Sequence, residues 1–171
     1  MPSFSHSQIE TYENCPLQYK FSYIDRIKIR IETVEAFLGS RVHEALEKLY
    51  RDKRYQKVMK LEELLAYFNA KWEENWDDNI LIVKKEYGQE NYRKMGEKYL
   101  ADYYQHYQPF DQGRIVGLET KDLLTLDEDE NYTYHIRIDR LMDMGDGLYE
   151  VHDYKAGMTL PKQEELDSDQ Q

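Results

Sequence analysis

The Gly145-Asp146-Gly147 segment constrains the fold of this chain more than any other feature of the sequence. Glycine supplies the positive φ that tight turns need, so the segment predicts a β-hairpin. Residues 132–138 alternate strictly between apolar or aromatic side chains and polar ones, which is typical of a half-buried strand. Residues 148–154 form the second candidate strand. The sequence therefore predicts two antiparallel strands joined at the glycines.

The length of the hairpin loop decides which residues face each other. A three-residue loop places Met144 opposite Leu148 and Asp139 opposite Asp153. A two-residue loop shifts the pairing by one position and makes the two aspartates near-diagonal neighbours. Opposed side chains have Cβ atoms about 4.5–5.5 Å apart, and like charges so placed are destabilising. Lys155 lies two residues beyond Asp153, so strand alternation puts both on one face.

Two carboxylates and a lysine on one face are suited to hydrolysing a phosphodiester. Divalent cations with oxygen ligands lower the pKa of water and neutralise phosphoryl oxygens. A lysine orients or deprotonates the water, or stabilises the developing charge. A plain surface hairpin is the alternative, with Asp139 paired to Arg140 and Asp153 paired to Lys155. The spacing alone does not separate a metal site from this arrangement.

The rest of the chain changes from helical to β periodicity near Pro109. Such an order predicts the α/β (α+β) class, with N-terminal helices packed on a central β-sheet that contains an antiparallel three-strand meander. We expect a single domain over 1–171, with a helical part at about 1–110 and a sheet and active-site part at about 111–171. Apolar spacing, a capping box at Ser5 and Gln8, and alternation predict helices at 7–14, 34–52, 61–76 and 90–107, and a first strand at 114–126.

Composition narrows the setting of the protein. Charged residues make up 33% and hydrophobic residues 40%, which is typical of a soluble globular chain. No apolar run approaches the ~20 residues that span a bilayer, and no signal peptide is recognisable, so we expect a cytoplasmic protein with no membrane partner. The net charge of −11 argues against nucleic-acid binding. A metal site also needs carboxylates, however, and the bound metal reverses the local sign.

Four ordered motifs resemble the PD-(D/E)XK nuclease superfamily, and most closely its branch of RecB-type exonucleases and related CRISPR-associated nucleases. They are Ser5-x-Ser7-x-Ile9-x-x-Tyr12-x-x-Cys15-Pro16-x-x-Tyr19-x-Phe21, Gly39-x-x-x-His43-x-x-Leu46, Ile138-Asp139-Arg140 and Asp153-Tyr154-Lys155-Ala156-Gly157. The resemblance implies a restriction-endonuclease-like core.

The resemblance also implies roles for individual residues. The implied metal ligands are His43, Asp139, Asp153 and the main-chain carbonyl of Tyr154, and Lys155 is the implied catalytic lysine. By periodicity alone, a half-buried structural histidine is the commoner outcome for such a position, and only the resemblance makes His43 a ligand.

Three further residues are tied to the same site. Glu119 falls where that branch often has a glutamate near the site, and an exposed strand residue is an equal alternative. Arg137 and Arg140 flank Asp139, so we expect them to contact the DNA backbone.

As a whole, the resemblance implies a Mg²⁺- or Mn²⁺-dependent deoxyribonuclease, an exonuclease of DNA repair, recombination or CRISPR-type defence, with a helicase or another repair or defence subunit as a partner. The alternative is a catalytically silent nuclease-like module that binds DNA or a partner. That branch continues into a Gln-x-x-x-Tyr helix, and here no tyrosine follows Gln170 or Gln171, so we expect a C-terminally truncated core.

Many members of that branch also hold an iron–sulfur cluster on four cysteines. Cys15 is the single cysteine of this chain, which excludes an internal disulfide and makes such a cluster possible only if the sequence continues.

Overall fold

The computed structural model describes residues 3–126 and 132–157 of the protein, so Gln170 and Gln171 lie outside the described residues. The helices are α1 (His6–Asn14), α2 (Pro16–Tyr19), α3 (Val34–Arg54), α4 (Leu61–Asn75) and α5 (Gln89–Tyr107), and a π-helical turn at Lys20–Ile24 follows α2. The strands are β1 (Ser3–Ser5), β2 (Glu32–Thr33), β3 (Ile80–Leu81), β4 (Arg114–Thr125), β5 (Thr133–Gly145) and β6 (Leu148–His152). The predicted α/β (α+β) class is confirmed.

The chain divides into two compact units. The first contains residues 1–29, 120–137 and 157–171, and the second contains residues 30–119 and 138–156. Strands β4 and β5 contribute residues to both units, and β5 has β4 as a sheet neighbour.

A three-helix core organises the second unit. Helix α3 packs against α4 and α5, which also pack against each other. Its buried residues recur at helical spacing: Val34, Phe37, Leu38, Val42, Ala45, Leu46, Leu49 and Tyr50. Phe68 and Trp72 of α4 and Leu100 of α5 are fully buried against this stripe. Burying each such side chain contributes roughly 1.5–3 kcal/mol, so the core holds α3 firmly in place.

The ends of α3 follow from its sequence. The hydroxyl of Thr33 accepts a hydrogen bond from the Ala36 amide at 3.3 Å and caps the first turn. The last turn carries Arg51, Lys53 and Arg54, whose positive charges interact favourably with the helix dipole.

In the first unit, β1 leads directly into α1. The hydroxyl of Ser5 accepts from the Gln8 amide at 3.3 Å, so the predicted N-cap is present. Strand β1 pairs in parallel with the start of β5, with Ser3 opposite Thr133 and Ser5 opposite His135. The sequence did not predict this short parallel strand, which makes the sheet mixed.

The hairpin keeps the predicted register with a shorter loop. Strands β5 and β6 are antiparallel, with Arg140 opposite His152 and Asp143 opposite Tyr149. The three-residue loop is wrong, because Gly145 pairs with Leu148 and leaves the two-residue turn Asp146-Gly147, with φ of 52° and 80°. An irregularity between Asp143 and Gly145 absorbs the extra residue and preserves the register.

Arg140 and His152 are the outermost paired residues, so the predicted pairing of Asp139 with Asp153 lies one position beyond the paired part of the hairpin. The paired strand β6 ends one residue earlier, at His152, although the sequence predicted it to reach Tyr154.

Within residues 3–126 and 132–157, no helix combines the length and apolar character that crossing a membrane requires.

Candidate metal centre

Helix α3 presents His43 at the edge of its buried stripe. The imidazole is partly buried, with a quarter of the side chain exposed. Its Nε2 lies 2.6 Å from the carbonyl oxygen of Tyr154, and its Nδ1 lies 3.4 Å from Oδ2 of Asp139. A carbonyl only accepts, so Nε2 carries the proton in this contact. His43 therefore joins helix α3 to the segment that follows β6.

Asp139 lies on β5 and is 6% exposed. Its Oδ2 accepts a hydrogen bond from the main-chain N–H of Tyr154 at 2.7 Å. A buried carboxylate needs such partners because leaving it unpaired costs several kcal/mol. The peptide groups of Tyr154 thus contact both Asp139 and His43.

Glu119 completes a three-residue cluster. One nitrogen of His43 and one carboxylate oxygen each of Glu119 and Asp139 lie within 4.8 Å of one another. Glu119 has φ of 48° inside β4, the left-handed region that non-glycine residues rarely adopt. Such a conformation costs about 1–3 kcal/mol and occurs often at functional sites. The resemblance had placed Glu119 near the site, but the backbone conformation of this residue had no sequence signal.

The surroundings of His43 alter its acidity. Burial opposes protonation of the imidazole, but the hydrogen bond and negative charge of Asp139 favour it, as do the Tyr154 carbonyl and the charge of Glu119. Together they raise the pKa of His43 above its ordinary value of 6.5. The cluster therefore attracts positive charge.

Asp153 and Lys155 form an ion pair beside this cluster. Oδ2 of Asp153 lies 2.7 Å from Nζ of Lys155, and both side chains are about half exposed. Asp153 does not belong to the three-residue cluster. One pair of the surface-hairpin alternative is thus present, whereas Asp139 contacts His43 and Tyr154, two residues that the resemblance implied as metal ligands.

The two arginines predicted to contact DNA lie in different surroundings. Arg137 is exposed on β5 in the first unit. Arg140 is 2% exposed, and its guanidinium carbon lies 3.8 Å from the centre of the Tyr50 ring. This burial argues against a direct contact between Arg140 and a phosphate, because a phosphate contact requires access to solvent. This burial was not predicted from the sequence, because arginine is rarely buried.

Cys15 is a free, partly buried cysteine in the first unit. Four ligands are required for an iron–sulfur cluster, and the sequence has no second cysteine.

The donor atoms of the cluster fit a divalent cation. Mg²⁺ and Mn²⁺ prefer carboxylate and carbonyl oxygens, and Mn²⁺ also accepts an imidazole nitrogen. Glu119 and Asp139 supply the carboxylates, the Tyr154 carbonyl supplies a main-chain oxygen, and His43 supplies the nitrogen. Several negative charges held this close together favour a cation between them.

Comparison with known proteins gives one clear relationship. The sequence matches the profile of the PD-(D/E)XK nuclease superfamily over residues 3–171. Searches of curated proteins and of solved structures gave no match. The match spans both units and includes every residue of the cluster, in a fold of the expected class. The chain belongs to the PD-(D/E)XK nuclease superfamily.

Proposed function

We propose that this protein is a divalent-metal-dependent deoxyribonuclease whose metal is held by His43, Glu119, Asp139 and the Tyr154 carbonyl. The observation that carries the proposal is the cluster of ligand atoms within 4.8 Å of one another. Its members come from α3, β4 and β5, so only the folded chain assembles it. Membership of a nuclease superfamily supports phosphodiester hydrolysis as its reaction.

Several residues of the chain have separate roles in the proposed hydrolysis. When bound, Mg²⁺ or Mn²⁺ lowers the pKa of water and neutralises charge on the phosphoryl oxygens. The carboxylates of Glu119 and Asp139 bind the cation, and the Tyr154 N–H orients Asp139 by donating to its Oδ2. His43 would hold a metal only in its neutral form, so a protonated His43 would first have to lose one of its two ring protons.

Lys155 is the proposed catalytic lysine, and Asp153 is a further carboxylate ligand. In the ion pair, the ammonium group donates to Oδ2 of Asp153, and both side chains remain accessible to a substrate. The ammonium can transfer that contact to a phosphate oxygen and stabilise the charge that develops there. Asp153, freed from that contact, would be available as a further carboxylate to hold the cation.

We further propose an exonuclease of the RecB-like branch that acts in DNA repair, recombination or CRISPR-type defence, in the cytoplasm and with a helicase or related subunit as a partner. The ordered motifs from Ser5 to Gly157 support this assignment. One profile spans both units, which supports treating residues 1–171 as a single domain. Exposed Arg137 is proposed to contact the DNA backbone.

Cleavage assays on end-labelled linear DNA, circular DNA and RNA test the proposal with Mg²⁺ or Mn²⁺ present. We expect linear DNA alone to be degraded, and Asp153→Ala and Lys155→Ala each to reduce the rate by at least about a hundredfold. Glu150→Ala is the matched control, because Glu150 is another exposed carboxylate of the hairpin. Cleavage that survives both substitutions contradicts the proposal, and cleavage of circular DNA converts it to an endonuclease.

A non-cutting module is the second candidate. It is favoured by the position of Asp153, which is paired with Lys155 and lies outside the three-residue cluster. Titration calorimetry with Mn²⁺ separates the candidates. Binding that depends on Asp139, without cleavage of any substrate, identifies a nuclease-like module that binds DNA or a partner.

A further inference from the structure

A buried arginine directly follows the metal-centre aspartate in the chain. Arg140 is 2% exposed, and within the described part of the chain no carboxylate forms an ion pair with it. Its guanidinium carbon lies 3.8 Å from the centre of the Tyr50 ring and 5.8 Å from that of Tyr154. Burying a charge is unfavourable unless other groups compensate it, and the negative faces of aromatic rings do so. The rings of Tyr50 and Tyr154 therefore stabilise the buried charge of Arg140.

The tyrosines around Arg140 also contact one another. The hydroxyls of Tyr50 and Tyr103 are 2.8 Å apart, and the Tyr103 ring meets the Tyr154 ring edge-on with centroids 5.8 Å apart. Tyr107 packs on Tyr103 at 4.4 Å, and its ring centre is 6.0 Å from the guanidinium. Arg140, Tyr50, Tyr103, Tyr107 and Tyr154 are here called the tyrosine cage. It joins α3 and α5 to the segment after β6.

One member of the tyrosine cage reaches the metal centre through its main chain. The Tyr154 N–H donates to Asp139, and the Tyr154 carbonyl accepts from His43. The Tyr154 ring also meets the His43 ring edge-on, with centroids 5.5 Å apart. The partly buried Tyr154 ring and the two peptide groups of the metal centre are therefore parts of one residue, and they move together.

We propose that Arg140 is a positioning residue of the metal centre: it clamps the Tyr154 ring and so fixes the peptide groups that hold Asp139 and His43. The inference rests on the proposed function only in taking a metal as the ligand of the centre. A guanidinium suits the task because it is planar and stacks on aromatic faces. A lysine ammonium group keeps the positive charge, but it is not planar and therefore does not stack on an aromatic ring.

Two substitutions of Arg140 and one control test the role. Arg140→Met removes the charge and the plane while filling much of the volume, and Arg140→Lys restores the charge alone. Met142→Ala is the matched control. Met142 is equally buried on the same strand and lies outside the tyrosine cage, so its truncation loosens the core without unclamping Tyr154.

The first measurement needs no metal. Amide hydrogen exchange, followed by NMR in EDTA, reports whether the Tyr154 N–H still donates to Asp139. In Arg140→Met we expect the Tyr154 amide to exchange at least about tenfold faster, while the Leu64 amide of buried α4 keeps its wild-type rate. Arg140→Lys should lie between Arg140→Met and wild type. Equal acceleration at Tyr154 and Leu64 indicates a purely structural role and overturns the inference.

The second measurement is Mn²⁺ binding by titration calorimetry. Residues that orient metal ligands typically change affinity by about 10–100-fold, so we expect that loss in Arg140→Met and a smaller one in Met142→Ala. A folded Arg140→Met that binds Mn²⁺ like wild type overturns the inference. If Arg140→Met does not fold, Arg140→Lys decides by the same two measurements. If wild type binds no Mn²⁺, the proposed function fails, and amide exchange still decides the role of Arg140.

Discussion

His43 combines packing with chemistry in one side chain. Its helix position sets it at the border of the core, and its two ring nitrogens face Asp139 and the Tyr154 carbonyl. Periodicity predicted the border position but left two roles open. The long-range contacts favour the role of a ligand, and helical spacing cannot encode them because Tyr154 lies far along the chain.

The raised pKa of His43 predicts how stability depends on pH. Because the pKa of the folded state exceeds the ordinary value of 6.5, protonated His43 stabilises the metal-free fold. This contribution is fully present below about pH 6.5 and is lost as pH rises through the folded-state pKa. We expect the Tm advantage of wild type over His43→Gln in EDTA to shrink across that window. Scanning calorimetry at several pH values measures it, and a pH-independent difference contradicts the assignment.

Glu119 gives a test of backbone strain. Glu119→Ala and Glu119→Gly both remove the carboxylate, but only glycine adopts φ of 48° without a steric penalty. We expect Glu119→Gly to have the higher free energy of unfolding, by about 1 kcal/mol. Urea denaturation of the two variants measures this difference. Equal stability, or a more stable alanine variant, shows that the backbone at this position is not strained.

At the scale of elements, the sequence predicted most of what holds the site. Helix α3 was predicted at 34–52 and spans Val34–Arg54, because its apolar residues recur every three or four positions. Of the two hairpin registers that the sequence left open, the structure has the one expected for a three-residue loop. The bulge near Met144 was missed. A two-residue loop with one bulged residue gives the same register as a three-residue loop without a bulge. The local sequence does not distinguish these two arrangements.

Two helical glycines allow a matched test of helix packing. A Cβ at Gly96 of α5 meets Phe68 Cζ at 2.3 Å and Leu38 Cδ1 at 2.8 Å, whereas a Cβ at Gly39 of α3 has nothing within 4 Å. Both alanine variants gain about 1 kcal/mol in helix propensity. The clash costs roughly 1–3 kcal/mol, so Gly96→Ala should be less stable than Gly39→Ala by that amount.

Thermal and urea denaturation of the two glycine variants measure this difference. Equal stabilities contradict the close approach of α5 to α4 and α3.

At the scale of the whole molecule, net charge and composition predicted less about the function than the ordered sequence motifs did. The net charge of −11 argued against nucleic-acid binding, yet three of the acidic residues lie in or beside the metal centre: Glu119, Asp139 and Asp153. Arg140 shows the same limit of a net charge as a predictor. Its positive charge enters the net charge of the chain, although the fold buries the side chain against Tyr50. Only the folded chain reveals which charges face a substrate.

This charge distribution predicts that DNA binding depends on the metal. Without a cation, the carboxylates of the centre repel phosphate, and a bound dication reverses that sign. We expect fluorescence anisotropy to show at least roughly tenfold weaker binding of a labelled oligonucleotide in EDTA than in Ca²⁺. Asp139→Asn should lose most of this Ca²⁺ effect, whereas Glu150→Gln should keep it. Equal binding in EDTA and Ca²⁺ contradicts the proposed site.

The separation of the ligands along the chain has a consequence for the life of the protein in the cell. His43 comes from the first long helix, whereas Tyr154 follows it 111 residues later in the chain. A growing chain has no complete centre, and a misfolded or proteolytically nicked copy separates the ligands again. If the protein cuts DNA, cleavage therefore requires a copy that is both complete through Tyr154 and correctly folded.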